Sequence, residues 1–313
     1  MKPDKNVLLL GGIIIDRYFK VDDYPASGQD TLILNSFEKP GGCALNVAVT
    51  LNNLGSIPYI VSKLGDDEIG KKIEQYIKSL GLPAHCITIA TGENTGYCLN
   101  IIDNKGERTF FTYKGCEIEL SPDMVPEDLL TSINSAYING YYLLNKQTIS
   151  AVIELVERLR QNKCLILFDP GPLAGEIHSS QLVKMISLTD WIIPNRSELE
   201  IIQEKYCFGE DPVKWLLSQG CQYVVAKQGA EGVDLYSSSS KRSIQSYRVK
   251  TIDTTGAGDS FAGGLIHGLL NRLNPEQAVE LANACGAYTA TIVGPHGIFT
   301  NAELDNFIQG YKE

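Results

Sequence analysis

The chain has 313 residues, 27 of them basic and 37 acidic, for a formal net charge of −10. With 43% hydrophobic and 20% charged residues it is too apolar for intrinsic disorder, and its acidic balance argues against a dedicated nucleic-acid binder. The longest apolar run, Val7 to Ile15, has nine residues, against about 20 for a membrane-spanning helix.

That run reads as a buried strand closed by Asp16. Asp16, Arg17 and Tyr18 follow where a secretory signal would need a small-residue cleavage site. Residues 17–38 then alternate polar with apolar, as a half-exposed sheet does. Gly41 and Gly42 lead into an amphipathic helix that carries Cys43 and Asn46. Tyr59 to Lys63 is the next buried strand. Ile69, Ile73, Tyr76, Ile77 and Leu80 mark a helix over 67–80. A second alternating segment spans 95–115, and its Asp103-Asn104-Lys105-Gly106 is a hairpin turn. Strands at Ala136 to Asn139, Cys164 to Phe168, Trp191 to Ile193 and Tyr223 to Ala226 alternate with helical patterns such as 147–160. This rhythm predicts a parallel sheet covered by helices on both faces. Ser237 to Ser240 is a turn between strands, and Tyr247 to Ile252 reads as a further strand. Helices follow at 258–271, 275–292 and 301–310, the second opened by Asn274-Pro275-Glu276. No linker divides the chain, which reads as one domain, residues 1–313, with a lid from segments 17–38 and 95–115.

Eight cysteines are scattered without a CxxC pair, and only four His are present. They read as small buried hydrophobes in a reducing cytoplasm, and not as disulfides or a zinc site.

Asp253-Thr254-Thr255-Gly256-Ala257-Gly258-Asp259 is the segment richest in chemistry. Its glycines let the backbone turn tightly ahead of a helix. The unpaired N–H groups and positive dipole end of that helix suit a phosphate. Asp259 at the helix start is placed either to cap it or to take a proton from an attacking hydroxyl. Gly41 and Gly42 bring backbone close to a ligand or make a plain turn, with Asn46 adding an amide. Asn195 and Glu198, three apart, fit a capping box or a water-held Mg²⁺. Lys227, Gly229 and Gly232 allow close approach of a nucleotide or form a turn. Asp16, at a strand end, is placed to hold polyol hydroxyls.

Taken in order, these clusters resemble the ribokinase-like, or PfkB, carbohydrate kinases over essentially the whole chain. Gly41, Gly42, Asn46, Ala48, Gly55 and Gly65 fit the family's first signature, and Asp253 through Ile266 its second. The resemblance implies a three-layer α/β/α domain with a mostly parallel central sheet and a small inserted β-sheet lid. It implies Asp259 as catalytic base, with Gly256, Ala257 and Gly258 completing an anion hole. It implies substrate contacts at Asp16, Gly41, Gly42 and Asn46. Nucleotide contacts fall at Asn195, Glu198, Lys227, Gly229, Gly232 and Asn283. ATP is the cosubstrate, Glu198 positions Mg²⁺ through water, and a monovalent cation such as K⁺ sits by Asp253, Thr255 and the 289–294 segment. A homodimer through the lid edge is implied too.

Two departures concern the substrate. Cys43 stands where many ribokinase-like sequences carry Lys, and Asn139-Gly140-Tyr141-Tyr142 replaces an acidic residue that ribokinases use on ribose. The lid also carries Tyr18, Phe19, Tyr97, Phe110, Phe111 and Tyr113. The expected activity is ATP-dependent phosphorylation of a hydroxyl on a small sugar or sugar derivative. The alternatives are a nucleoside kinase of the same family and a sugar-binding regulator that has lost catalysis.

Overall fold

The computed structural model describes residues 5–311. In its first half the strands are β1 (Asn6–Leu10), β2 (Ile14–Lys20), β3 (Asn35–Gly41), β4 (Ile57–Gly65), β5 (Ile87–Ala90), β6 (Tyr97–Ile102) and β7 (Arg108–Tyr113). In the second half they are β8 (Ser135–Asn139), β9 (Leu165–Asp169), β10 (Trp191–Ile192), β11 (Tyr223–Lys227), β12 (Val233–Ser237) and β13 (Lys241–Ile244). The helices are α1 (Cys43–Asn53), α2 (Glu68–Ser79), α3 (Glu127–Ser132), α4 (Thr148–Gln161) and α5 (Ser179–Ser187). They continue with α6 (Arg196–Tyr206), α7 (Pro212–Ser218), α8 (Ala257–Leu270), α9 (Pro275–Thr289) and α10 (Asn301–Gly310).

Nine of the described strands form one sheet, in the order β13-β12-β11-β10-β9-β8-β1-β4-β5. From β5 to β11 every neighbouring pair is parallel, and β12 and β13 complete the edge antiparallel. Alternation along β1 decides the layers. Leu8 and Leu10 point into the core shared with α3 to α7, and Val7 and Leu9 into the core shared with α1, α2, α8 and α9. β8 and β9 repeat the pattern with Ile138 and Phe168 on one face, Tyr137 and Leu167 on the other. The result is an α/β/α sandwich.

The other four strands form a separate sheet, β3-β2-β6-β7. Its hairpin β6–β7 turns at Asp103, whose carboxylate accepts the N–H groups of Lys105 and Glu107, both at 2.9 Å.

Three expectations need correction. Val7 to Ile15 is not one strand: β1 stops at Leu10, and β2 begins at Ile14 in the other sheet. Gly11 and Gly12 make the break because their neighbours leave no room for side chains; a Cβ on Gly11 would lie 2.9 Å from Cys43 Sγ. Asp16 therefore does not end a main-sheet strand. It lies inside β2, paired with Lys39 and Cys98. Tyr247 to Ile252 is not a strand either, because the sheet edge ends with β13 at Ile244.

Candidate functional site

The C-terminal ends of β1, β8, β9 and β11 and the N-terminal ends of α1 and α8 converge, as expected for an open α/β sheet. Gly256 caps α8 in the left-handed region at φ +71. A Cβ there would sit 1.7 Å from the Pro295 carbonyl oxygen, so only glycine fits. The Ala257 N–H is engaged, donating to Thr254 at 3.2 Å. The N–H groups of Gly256, Gly258 and Asp259 have no backbone acceptor among the described residues and form the donor set at this helix start.

Asp259 keeps part of its surface open to the cleft, with dense protein around it. Burial pushes its carboxyl up to about 7; Asp169 and Asp16 add to the shift, while Asn46 and Lys227 oppose it. Asn46 Nδ2 donates to Asp259 Oδ2 at 2.7 Å. Behind Asn46 stands a pair that sequence reasoning did not find. His296 Nδ1 lies 2.9 Å from Asn46 Oδ1, and its Nε2 lies 2.7 Å from the Tyr76 hydroxyl. Burial, with Lys39 adding, lowers His296 to about 4, so the ring is neutral with one donor and one acceptor. An amide oxygen only accepts, so Nδ1–H donates to Asn46 and Tyr76 donates to Nε2. This order fixes the Asn46 amide with its nitrogen towards Asp259.

Asp16 reaches the same cleft from β2. Gly41 gives it room, since a Cβ at Gly41 would lie 2.0 Å from Asp16 Oδ2. Burial raises the Asp16 carboxyl to about 7, opposed by a hydrogen bond from Asn100 and by Lys114, with Asp253 adding. Gly42, at φ +94, packs on the Gly12 carbonyl ahead of α1. Lys114 Nζ lies 3.8 Å over the Tyr141 ring. Asn139 is engaged with its own turn: it accepts from the Tyr141 N–H at 3.1 Å and donates to the Tyr137 hydroxyl at 3.2 Å. The Cys43 thiol is pushed up to about 12 by burial, so it is no nucleophile at neutral pH.

Lys227 links this cluster to the next. Its Nζ is 3.3 Å from Asp169 Oδ2, and 3.7 Å from where a Cβ on Gly258 would sit. Burial alone would lower Lys227, but Asp169 and Glu198 outweigh it and hold the ammonium charged. Asn195 bridges to Lys227 along the sheet. Asn195 and Glu198 form a full capping box on α6, with Glu198 accepting from the Asn195 N–H at 2.8 Å. Burial and Asp169 raise Glu198 to about 7. The cap and a place beside Lys227 coexist in one residue.

Gly229, Gly232 and Asn283 form a third group. Gly229 and Gly232 take positive φ between β11 and β12. Gly232 packs on the 244–246 backbone, and Asn283 donates to the Gln245 carbonyl at 3.3 Å. Asp253 and Thr255 stand at the foot of the lid, where Arg108 of β7 pairs with Asp253 at 2.9 Å. Arg108, Lys39 and Asn100 carried no local sequence signal. Asp169, at the end of an apolar strand, could have been found by the strand-end rule applied to Asp16.

No helix among the described residues is long and apolar enough to cross a membrane. All eight cysteines are free. Residues 4–298 match the family model described as "pfkB family carbohydrate kinase". Two curated relatives are a probable fructokinase-4 of Arabidopsis thaliana, 27% identical over 87% of this chain and 88% of its own, and the uncharacterized sugar kinase YegV of Escherichia coli, 28% identical over 94% and 90%. Among solved structures, a fructokinase of Xylella fastidiosa with bound ATP superposes with a TM-score of 0.86 at 21% identity, covering 100% of both chains. A putative ribokinase II of E. coli in complex with ATP and Mg²⁺ gives 0.83 at 25% identity, covering 98% and 99%. A Burkholderia thailandensis nucleoside kinase in complex with inosine gives 0.84 at 21%, covering 98% and 97%. With a family match across nearly the whole chain, and a large, mostly parallel sheet and smaller separate sheet that agree with it, the chain belongs to the pfkB family of carbohydrate kinases.

Proposed function

We propose that the enzyme transfers the γ-phosphoryl group of ATP to a hydroxyl of a small sugar or sugar derivative. The observation that carries this is Asp259: a carboxyl raised to about 7, at a helix start whose neighbouring N–H groups have no backbone acceptor. Asp259 takes the hydroxyl proton as the oxygen bonds to phosphorus and the bond to ADP breaks. The N–H groups of Gly256, Gly258 and Asp259, with Lys227 beside Gly258, hold the charge on the transferring group, the main catalytic contribution in this chemistry. Ala257 contributes by shaping the turn. Asp16, Gly41, Gly42 and Asn46 bind the acceptor, and Asn195, Glu198, Lys227, Gly229, Gly232 and Asn283 the nucleotide.

The oxygen donors of Glu198 and Asp169, flanking Lys227, suit a water-held Mg²⁺, which supplies charge neutralisation of the ATP phosphates when bound. We read the chain as a single kinase domain, closed by its lid and working in the cytoplasm. Phe110, Phe111 and Tyr113 on edge strand β7, and Leu32 to Leu34 beside β3, are exposed. A second copy pairing through the lid would cover them. The same aromatic edge supports a nucleoside as the alternative acceptor.

The test is ADP release with Mg-ATP against a panel of sugars, sugar derivatives and nucleosides. Turnover of a sugar that disappears in Asp259→Asn supports the reading. Turnover of nucleosides alone selects the alternative, and no turnover of any acceptor despite ATP binding rejects both in favour of a sugar-binding regulator.

A further inference from the structure

The lid grips the anion-hole loop through two basic side chains. Arg108 on β7 sets Nη1 2.9 Å from Asp253 Oδ1 and 3.1 Å from Thr254 Oγ1, with Nη2 3.5 Å from the Ile252 carbonyl. The pair is buried, with 16% of the Arg108 side chain and 4% of the Asp253 side chain exposed. Asp253 has two further donors: Oδ1 accepts the Thr255 N–H at 2.8 Å, and Oδ2 the Gly294 N–H at 2.9 Å. Lys39 on β3 donates to the Val293 carbonyl at 2.5 Å. Gly294, at φ +108, leaves space for it; a Cβ there would lie 2.6 Å from Lys39 Nζ. Two residues after Val293, the Pro295 carbonyl backs directly onto Gly256. Both grips therefore converge on the 293–295 turn, the wall behind the anion hole.

The resemblance to ribokinase-like enzymes implies a monovalent cation in this region. The donor set does not fit one. Such an ion needs several oxygens with free lone pairs around one centre. Here the Asp253 carboxylate and the Ile252 and Val293 carbonyls already accept N–H donors, and Arg108 and Lys39 bring full positive charges. Another cation would be repelled by both, most strongly beside the largely buried Arg108. The hydroxyls of Tyr18 and Thr255, buried with no hydrogen-bond partner among the described residues, add two oxygens, fewer than the several such an ion needs.

We propose that Arg108 and Lys39 stand in for that cation. They are positioning residues carried by the lid: they neutralise Asp253 and fix the 293–295 turn behind Gly256, so the anion hole takes its shape when the lid is down and needs no K⁺. The rate readout rests on the kinase reading above; the stability readout does not.

The experiment compares potassium chloride with tetramethylammonium chloride at equal concentration. Thermal unfolding of the wild-type protein, with and without Mg-ATP, gives the same midpoint in both salts. On an accepted sugar, the two rates agree to within about twofold, because no ion is bound for mass action to register. Arg108→Ala loses about 100-fold in kcat with little change in the KM for ATP, the effect of displacing reacting groups by about an ångström. Arg108→Lys recovers part of the loss, and K⁺ then accelerates the Ala variant. A wild-type midpoint raised several degrees by K⁺ overturns the proposal, and so does wild-type kcat in Arg108→Ala. The wild-type salt comparison needs no variant and no acceptor. A failed acceptor panel therefore leaves it standing, while a confirmed sugar kinase activated by K⁺ sinks it alone.

Discussion

The loop 253–259 and the four-stranded lid meet at Arg108 and Asp253, yet they are held together by different forces. The loop is over-determined. Gly256 is wedged against Pro295, Asp253 has three donors, and Asp259 is fixed through Asn46, His296 and Tyr76. The lid is a thin sheet with one face and one edge still apolar: Phe111 is 59% and Leu32 79% exposed. A rigid loop can hold charge-stabilising donors ready for a transition state, because no reorganisation is needed when the reaction occurs. A thin lid can move, and it can change its acceptor contacts without disturbing that loop. The difference teaches where to look for mechanism and where for specificity.

Asp259 offers the largest test of that contrast. Asp259→Asn is expected to lower kcat by about 10²- to 10⁴-fold. It should also stabilise the fold at pH 8. The folded-state pKa is about 7 against an ordinary 3.8, so the native state keeps its proton longer than the unfolded chain. Stability is then lost as pH rises from about 4 to about 7, and Asn avoids that loss. The gain is on the order of a few kcal/mol above pH 7 and vanishes near pH 4. Denaturant titrations at the two pH values measure it. Equal stability of variant and wild type at pH 8 would mean Asp259 is not a strained acid. If Asp259 is the base, wild-type kcat/KM, which reports the ligand-free enzyme, rises with pH through about 7.

Asp16 stands on the lid side of the comparison. Asp16→Asn should weaken acceptor binding by up to about 100-fold, the size of a hydrogen bond to a charged group, and leave the KM for ATP in place. If both KM values rise together, Asp16 holds up the fold of the cleft and not the acceptor. A smaller effect is expected from His296→Ala. Without the ring, the Asn46 amide is free to turn, and Asp259 loses a hydrogen bond that holds its carboxyl down. A loss of about tenfold in kcat should come with an upward shift of the acid limb of the pH profile, and Tyr76→Phe should move both less. A lower kcat with an unmoved limb would make His296 merely structural.

What the sequence made legible follows the same divide. The loop was readable because its parts are contiguous: glycines, acid and helix start lie within seven residues. The alternating lid segments are readable from period, though β2 starts inside the Val7 to Ile15 apolar run. That run hid its break, because Gly11 and Gly12 look like any other small residues between aliphatic ones. Tyr247 to Ile252 has the composition of a strand but no strand to pair with among the described residues. Tyr76 looked like one more apolar position on α2, and its hydroxyl matters only because His296, 220 residues away, stands opposite. Arg108 and Lys39 were silent for the same reason. Their roles come from partners distant in the chain, and one sequence carries no trace of such pairings.

The smallest effect on rate, and the sharpest on assembly, belongs to the lid edge. Phe111 is exposed on β7, whose outer edge has no partner strand among the described residues. An open apolar edge of this kind is costly to leave in water and pairs readily with another strand. If two copies pair there, Phe111→Ser with Phe110→Ser removes apolar area from the seam without touching Asp259 or its donors. Sedimentation should then show a dimer for the wild type and a monomer for the double variant, with kcat on a sugar acceptor changed no more than about twofold. A wild-type monomer at micromolar concentration would remove the lid pairing. A monomeric variant with kcat lost as well would show that the lid closes properly only when a second lid braces it, and would tie the two regions more tightly than Arg108 and Lys39 already do.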